Sequence, residues 1–263
     1  TGFALPSYII GVENNFISRQ QASERVLNTL EWLWSSKQGA EPDATGYKGC
    51  YYHFLSYGTG RRYDKVELST IDTGLLLAGI LTCQTYFDGA DKTEVRIREL
   101  ADSIYLRVDW QWAMNGAANM SMGWTPEQGF IQSTWNGYNE AMILLIMAIG
   151  SPTHPIDSTA WDSWCSTYKW DSFYGYEHVP FGPLFGHQYS HQFIDFRGIQ
   201  DSYMRSKGID YFENSVRATL SNRAYCMENP LKFEGYSANM WGLTACDGPA
   251  MAKIRANGRV VQF

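Results

Sequence analysis

The run Ala141–Ile149 constrains this chain more than any other stretch, because none of its side chains is polar. A segment this apolar and this short reads as a helix buried on all sides. Gly150 just past its end and Pro152 soon after close it as helices are closed. Glu140 stands at its front, with Trp135 and Tyr138 immediately upstream. A carboxylate held on a rigid element beside two flat, half-polar rings suits binding and cleaving a sugar. A glutamate in a first helical turn also serves as a partner for the positive end of the helix dipole, and this stretch alone leaves both readings open.

The rest of the chain supplies helices to surround that segment. Ser18 to Lys37 carries Val26, Leu27, Leu30, Leu33 and Trp34 at helical spacing. Glu67 to Phe87 is a second strong helix, with Ser69 or Thr70 as its cap and the small residues Gly74, Ala78 and Gly79 permitting close packing. Asp72 lies near its front, where a buried carboxylate is costly unless paired or used. Asp91 to Val108 is more polar and keeps one face in water. Ser158 to Lys169, Asp210 to Glu228 and Ser237 to Ala245 are further expected helices. Thr1 to Ser18 reads as an irregular lead-in. Gly39 to Arg62 reads as a long loop whose Tyr47, Tyr51, Tyr52, Phe54 and Tyr57 are candidates for a cleft wall. Tyr174 to Phe196 is loop-like as well. No βαβ alternation, dinucleotide fingerprint, P-loop or nucleophile elbow is present. Buried helices alternating with more polar ones predict two concentric layers, an α/α toroid whose loops at one end make one cleft.

Composition narrows the partners. A formal charge of −6 argues against nucleic acid or an anionic membrane surface. No apolar run is long enough to span a bilayer. No signal peptide is expected, because Thr1 is not followed by a basic stretch and an apolar core. Five scattered cysteines without a CxxC pair argue against a disulfide framework or a structural zinc site. The 10 Trp and 17 Tyr exceed what core packing asks for and imply surfaces apolar on one side and wet on the other, as sugar clefts are. A dense aromatic core accounts for part of that excess.

Five stretches then carry a resemblance: Ser-Thr-Ile-Asp-Thr-Gly-Leu-Leu-Leu-Ala-Gly (69–79), Trp-Asn-Gly-Tyr-Asn-Glu-Ala-Met-Ile-Leu (135–144), Gly-Ser-Pro-Thr-His-Pro (150–155), Ile-Asp-Phe-Arg-Gly-Ile (194–199) and Gly-Ile-Asp-Tyr-Phe-Glu-Asn-Ser-Val-Arg-Ala-Thr-Leu (208–220). In these the chain, from about Arg62 to Pro249, resembles the glucoamylase-like family of bacterial glycoside hydrolases. That family includes endo-β-1,2-glucanases and is related to a domain of cyclic β-1,2-glucan synthases. The resemblance implies an all-α (α/α)6 barrel forming a single catalytic domain over 1–263, and an inverting hydrolase acting on β-glucan, with β-1,2 linkages favoured. It also favours a periplasmic or secreted location. Periodicity yields only about seven or eight helices, and family members carry a further segment after the motif matching Asp247-Gly-Pro, so the barrel is expected to be incomplete in this chain.

Inversion asks for one protonated carboxyl and one carboxylate roughly 6.5–9.5 Å apart. The resemblance favours Glu140 as the acid and leaves the base among Asp72, Glu67 and Asp64. The helix dipole favours the ionised form of Glu140, whereas burial against Trp135 and Tyr138 favours the neutral form. Trp112, Trp124, Trp135, Tyr138 and His187 are candidates for lining sugar subsites. Glu127 and Asp195 are substrate clamps or ordinary ion-pair partners. His187 and His191 stand four apart but lack an HExxH pattern, so neither a metal nor another cofactor is expected. The expected partner is an oligo- or polysaccharide. Two other readings use the same residues: a glycan phosphorylase or transferase on this barrel, and a non-catalytic carbohydrate-binding protein.

Overall fold

Helix α1 spans Ala4–Glu13, where an irregular lead-in was expected. Pro6 falls in its first turn, where the backbone N–H has no intrahelical partner to lose, so the proline does not break it. The computed structural model describes residues 1–246, 253–256 and 258–262. The Asp247-Gly-Pro motif lies outside the described residues.

The expected strong helices follow. α2 (Arg19–Ser35) opens on a capping box in which Ser18 and Gln21 satisfy each other's backbone N–H groups. It buries Ala22, Val26, Leu30 and Leu33 along one stripe. α3 (Thr70–Tyr86) is capped by Ser69 and buried along much of its length. α4 (Lys92–Leu106) is capped by Asp91 and buries Ile97, Leu100, Ala101 and Ile104. α5 (Trp110–Ala113) is a single turn within the Trp-rich stretch. α6 (Ala141–Ile149) is the apolar run, and α7 (Thr159–Ser166) follows it. α3 packs against α1, α4 and α6, while α2 lies on α4. The contrast between mostly buried α3 and α6 and half-wet α2 and α4 is the layering the sequence predicts, and the fold class is all-α of the α/α-barrel type.

Two glycines set the approach distances around α3. A Cβ on Gly79 would lie 2.0 Å from the carbonyl oxygen of Gly2, so only glycine lets the start of α1 settle there. A Cβ on Gly74 would meet Leu144 at 3.2 Å, which brings α6 tight against α3.

Sheet structure is small. Strands β1 (Gly46–Tyr47), β2 (Cys50–Tyr52), β3 (Leu68–Ser69), β4 (Gly123–Thr125) and β5 (Gly129–Phe130) pair antiparallel in that order. β3 runs straight into α3, so this sheet holds the helix end that bears Asp72.

Chain contacts group Thr1–Lys169 and Ser190–Asp195 as one compact unit, and Trp170–Tyr189 and Phe196–Phe263 as a second. The second contains the hairpin β6 (Asp171–Phe173) and β7 (Tyr176–His178), a 3-10 turn over Leu184–His187, α8 (Ser202–Lys207) and α9 (Tyr211–Glu228). β8 (Lys253–Ala256) and β9 (Arg259–Gln262) form a further hairpin. α9 matches its expected span and is capped by Asp210. The helix expected over Ser237 to Ala245 does not form: Ser237 and Met240 bridge across a tight turn, and Gly242 takes φ +102°, which ends any helical path. α8, by contrast, was not foreseen.

Candidate active site

Asp72 and Glu140 stand at the front of the two buried helices, and both belong to the first unit. Asp72 sits in the first turn of α3, where Ser69 Oγ accepts from its backbone N–H at 3.2 Å and donates to its Oδ2 at 2.5 Å. Its side chain is 43% exposed. Glu140 is the N-cap residue of α6 and makes no side-chain capping bond. Its Oε2 is buried and finds no hydrogen-bond partner among the described residues. Burial pushes this carboxyl above the ordinary range. A hydrogen bond from its own backbone opposes the shift, and the nearby charge of Asp72 adds to it. In the contest between dipole and burial, burial prevails.

The N-terminus of α6 is satisfied by other groups. Asn139 Oδ1 accepts from the Ala141 N–H at 3.0 Å. Ser190 Oγ, 47 residues beyond, accepts from Ile143 N–H at 3.2 Å and donates to the Glu140 carbonyl at 3.4 Å. Ser190 thus frees the Glu140 side chain from capping duty. Trp135 is buried, and its indole N–H donates to Thr70 Oγ1 at 3.0 Å, a strut between the segment leading into α6 and the start of α3. Tyr138 is buried too, against Trp164 and Tyr168. Both rings were expected to line sugar subsites, and both are buried here.

Of the other candidate bases, Glu67 precedes β3 and meets His53, whose Nδ1 lies 2.8 Å from Glu67 Oε1. His53 Nε2 lies 3.6 Å from Asp72 Oδ2. The structure therefore brings Glu67, His53, Asp72 and Ser69 into one line. Asp64 is exposed in a left-handed turn at φ +47° and is not part of that line. His53 has no motif around it and was not singled out from sequence. Only the pairing of Tyr52 with Leu68 sets it opposite Glu67.

An open aromatic patch lies on the sheet. Tyr47, Trp112, Trp124 and Phe130, all half-buried, touch one another at centroid distances of 4.7–5.8 Å. Trp112 and Trp124 are thus placed with one wet side, as a sugar-stacking surface requires. Of the expected cleft-wall rings, Tyr51 and Tyr52 are buried, while Phe54 and Tyr57 are exposed. Glu127 forms a two-pronged pair with the buried Arg62 at 2.7 and 3.0 Å, and those bonds hold its carboxyl below the ordinary range. The ion-pair reading describes it. Asp195 is exposed.

His187 belongs to the second unit. It is buried there and its Nε2 accepts from Phe181 N–H at 3.0 Å. It lines a cavity of about 430 Å³ walled by Phe173, Phe181 and Tyr225 together with His178. Burial lowers the tendency of His178 to take a proton. Among the described residues, no group of three or more His, Cys, Asp or Glu side chains is placed to hold a metal ion.

Two buried helix fronts bearing a desolvated and an open carboxylate, beside half-wet tryptophans, can be set against known proteins. The family model described as "Putative glucoamylase" matches residues 132–260. Over those residues the chain is similar to that family. A curated relative, the exo β-1,2-glucooligosaccharide sophorohydrolase (non-reducing end) of Parabacteroides distasonis, is 27% identical over 94% of this chain and 37% of its own length. A solved structure of a protein of the family's description from Bacteroides uniformis superposes with TM-score 0.82 at 28% identity, over 94% of this chain and 61% of the other. The β-1,2-glucanase of Parabacteroides distasonis superposes with TM-score 0.81 at 25% identity, over 94% and 38%. The chain therefore spans about a third to three-fifths of the length of these relatives.

Proposed function

We propose that this chain carries out glycoside hydrolysis on β-glucan, with β-1,2 linkages favoured, by an inverting acid/base route. The linkage preference is taken from the sophorohydrolase and the β-1,2-glucanase, each named for that bond. The observation that carries the chemistry is Glu140: a carboxyl oxygen buried without a hydrogen-bond partner among the described residues, on a group whose pKa burial raises. A carboxyl whose hold on its proton is strengthened in this way suits the general-acid role.

Asp72 is the base in this reading. Its charge is felt by Glu140, it is open to water, and Ser69 and His53 orient it. The step balances as follows. Glu140 gives its proton to the glycosidic oxygen as the bond from that oxygen to the anomeric carbon breaks. Water attacks the anomeric carbon from the opposite face, and Asp72 takes the proton that water releases. Trp112 and Trp124 offer stacking surface for sugar rings, and Asp195 is an exposed polar group of the same unit.

The test is incubation of the protein with β-1,2-, β-1,3- and β-1,4-glucans and with α-glucans, reading released sugars and their first-formed anomer by proton NMR. Release of α-configured reducing ends from β-1,2-glucan supports the reading. A first-formed β-anomer contradicts inversion. Turnover that depends on added phosphate points to a phosphorylase, and binding without release to a carbohydrate-binding protein.

A further inference from the structure

We propose that His53 is a positioning residue for Asp72: Glu67 holds it by one ring nitrogen, and it presents the other to the Asp72 carboxylate. The inference rests on the reading of Asp72 as the base, and it adds a residue that no motif marks.

The geometry begins in the sheet. β2 and β3 pair antiparallel, and one residue past that ladder the His53 N–H donates to the Glu67 carbonyl at 2.9 Å. This register sets the two side chains against each other. At 2.8 Å the Nδ1–Glu67 Oε1 contact is a hydrogen bond, and an ionised carboxylate only accepts, so Nδ1 carries the hydrogen. Glu67 thereby fixes both the tautomer and the angle of the ring. Phe54 lies flat on the imidazole, with centroids 4.2 Å apart and planes 12° apart, and holds its plane. Nε2 is then left facing Asp72 Oδ2 at 3.6 Å, just beyond direct hydrogen-bond distance. The same oxygen takes the hydroxyl hydrogen of Ser69. Oδ2 is thus held by Ser69 and flanked by the ring, which limits how far the carboxylate can swing.

A structural ion pair does not explain this arrangement well. His53, Glu67 and Asp72 are 38%, 34% and 43% exposed, and exposed pairs contribute little to stability. Orientation of a reacting carboxylate is worth far more, since small misplacement of a catalytic group costs rate steeply.

The experiment compares wild type, His53→Ala, Glu67→Ala, Asp72→Asn and Glu140→Gln. It reads kcat and KM on a β-1,2-glucooligosaccharide, Tm, and the nitrogen-15 shifts of the His53 ring. His53→Ala is expected to lower kcat by roughly ten- to a hundredfold, with KM within about twofold and Tm nearly unchanged. Glu67→Ala should lower kcat in the same sense and release the Nδ1–H tautomer seen in wild type. A His53→Ala enzyme with wild-type kcat, when Asp72→Asn and Glu140→Gln abolish turnover, overturns the role of His53 and leaves the hydrolase reading standing. A loss of kcat that goes with a fallen Tm, or a ring tautomer indifferent to Glu67→Ala, overturns it as well. Absence of cleavage by wild type overturns the hydrolase reading, and this inference with it.

Discussion

Helices α3 and α6 are both buried and both carry a carboxylate at the front, yet their N-termini are built by opposite means. α3 is closed from within: Ser69 caps it, and the Asp72 side chain bonds to that same serine. α6 is closed from outside, by Asn139 and by Ser190 reaching in from 47 residues away, while the Glu140 side chain takes no part. The difference separates two kinds of acid. A carboxylate tied into its own cap is held still and open to solvent. A carboxyl excused from capping, with an oxygen buried away from partners, holds its proton more tightly. An acid/base pair needs one of each.

The sharpest way to break this comparison is to remove the proton chemistry from each side in turn. Glu140→Gln and Asp72→Asn should each lower turnover on β-1,2-glucooligosaccharide by about a hundredfold or more. They should part company on an aryl glycoside with a good leaving group, which needs little protonation. There Glu140→Gln regains most of its rate and Asp72→Asn does not. Equal behaviour of the two variants on that substrate would erase the distinction between acid and base.

Removing the caps tests how each front is held. Ser69→Ala deletes a buried cap and should cost about 0.5–2 kcal/mol, read as a lower Tm, with kcat falling because Asp72 loses its orienting hydroxyl. Ser190→Ala should cost about 0.5–1.5 kcal/mol. Its further signature is a fall in kcat, since the Glu140 backbone loses the hydroxyl that holds it. A Ser190→Ala protein with full turnover would show that the remote cap serves stability alone.

The smallest effect is in the pH dependence of stability. Folding raises the pKa of Glu140. At pH below the ordinary carboxylate range both folded and unfolded chains hold the proton, and the group has no effect. As pH rises through that range the unfolded chain releases its proton first, so stability is lost until the folded group ionises as well. Glu140→Gln has no proton to lose. The Tm of the variant minus that of wild type should therefore grow from acid pH upward and level off above the folded value. A difference independent of pH would mean that Glu140 is not held protonated by the fold.

Much of this was legible in the chain itself. The spacing of Val26, Leu30 and Leu33, the caps Ser69, Asp91 and Asp210, and the Gly150 and Pro152 stop are all interactions within one or two turns, so sequence order displays them. The apolar run already placed Glu140 at the front of a buried helix. Local signals also misled. Thr1 to Ser18 read as an irregular lead-in, although Pro6 sits harmlessly in the first turn of a helix there, and the helix expected over Ser237 to Ala245 is prevented by a tight turn and Gly242. Trp135 was readable as a ring beside a carboxylate, but nothing around it says that its N–H reaches Thr70, 65 residues back.

What the sequence by itself determined is the class of fold and the two helix fronts on which the carboxylates ride, because helical periodicity and capping are short-range. The tertiary structure alone decided which carboxyl is starved of partners, which serine caps α6, and that His53 stands between Glu67 and Asp72. Those relations depend on strand register and on the close approach that Gly74 permits between α3 and α6. Each joins residues many positions apart, and side-chain desolvation exists only once those residues have met.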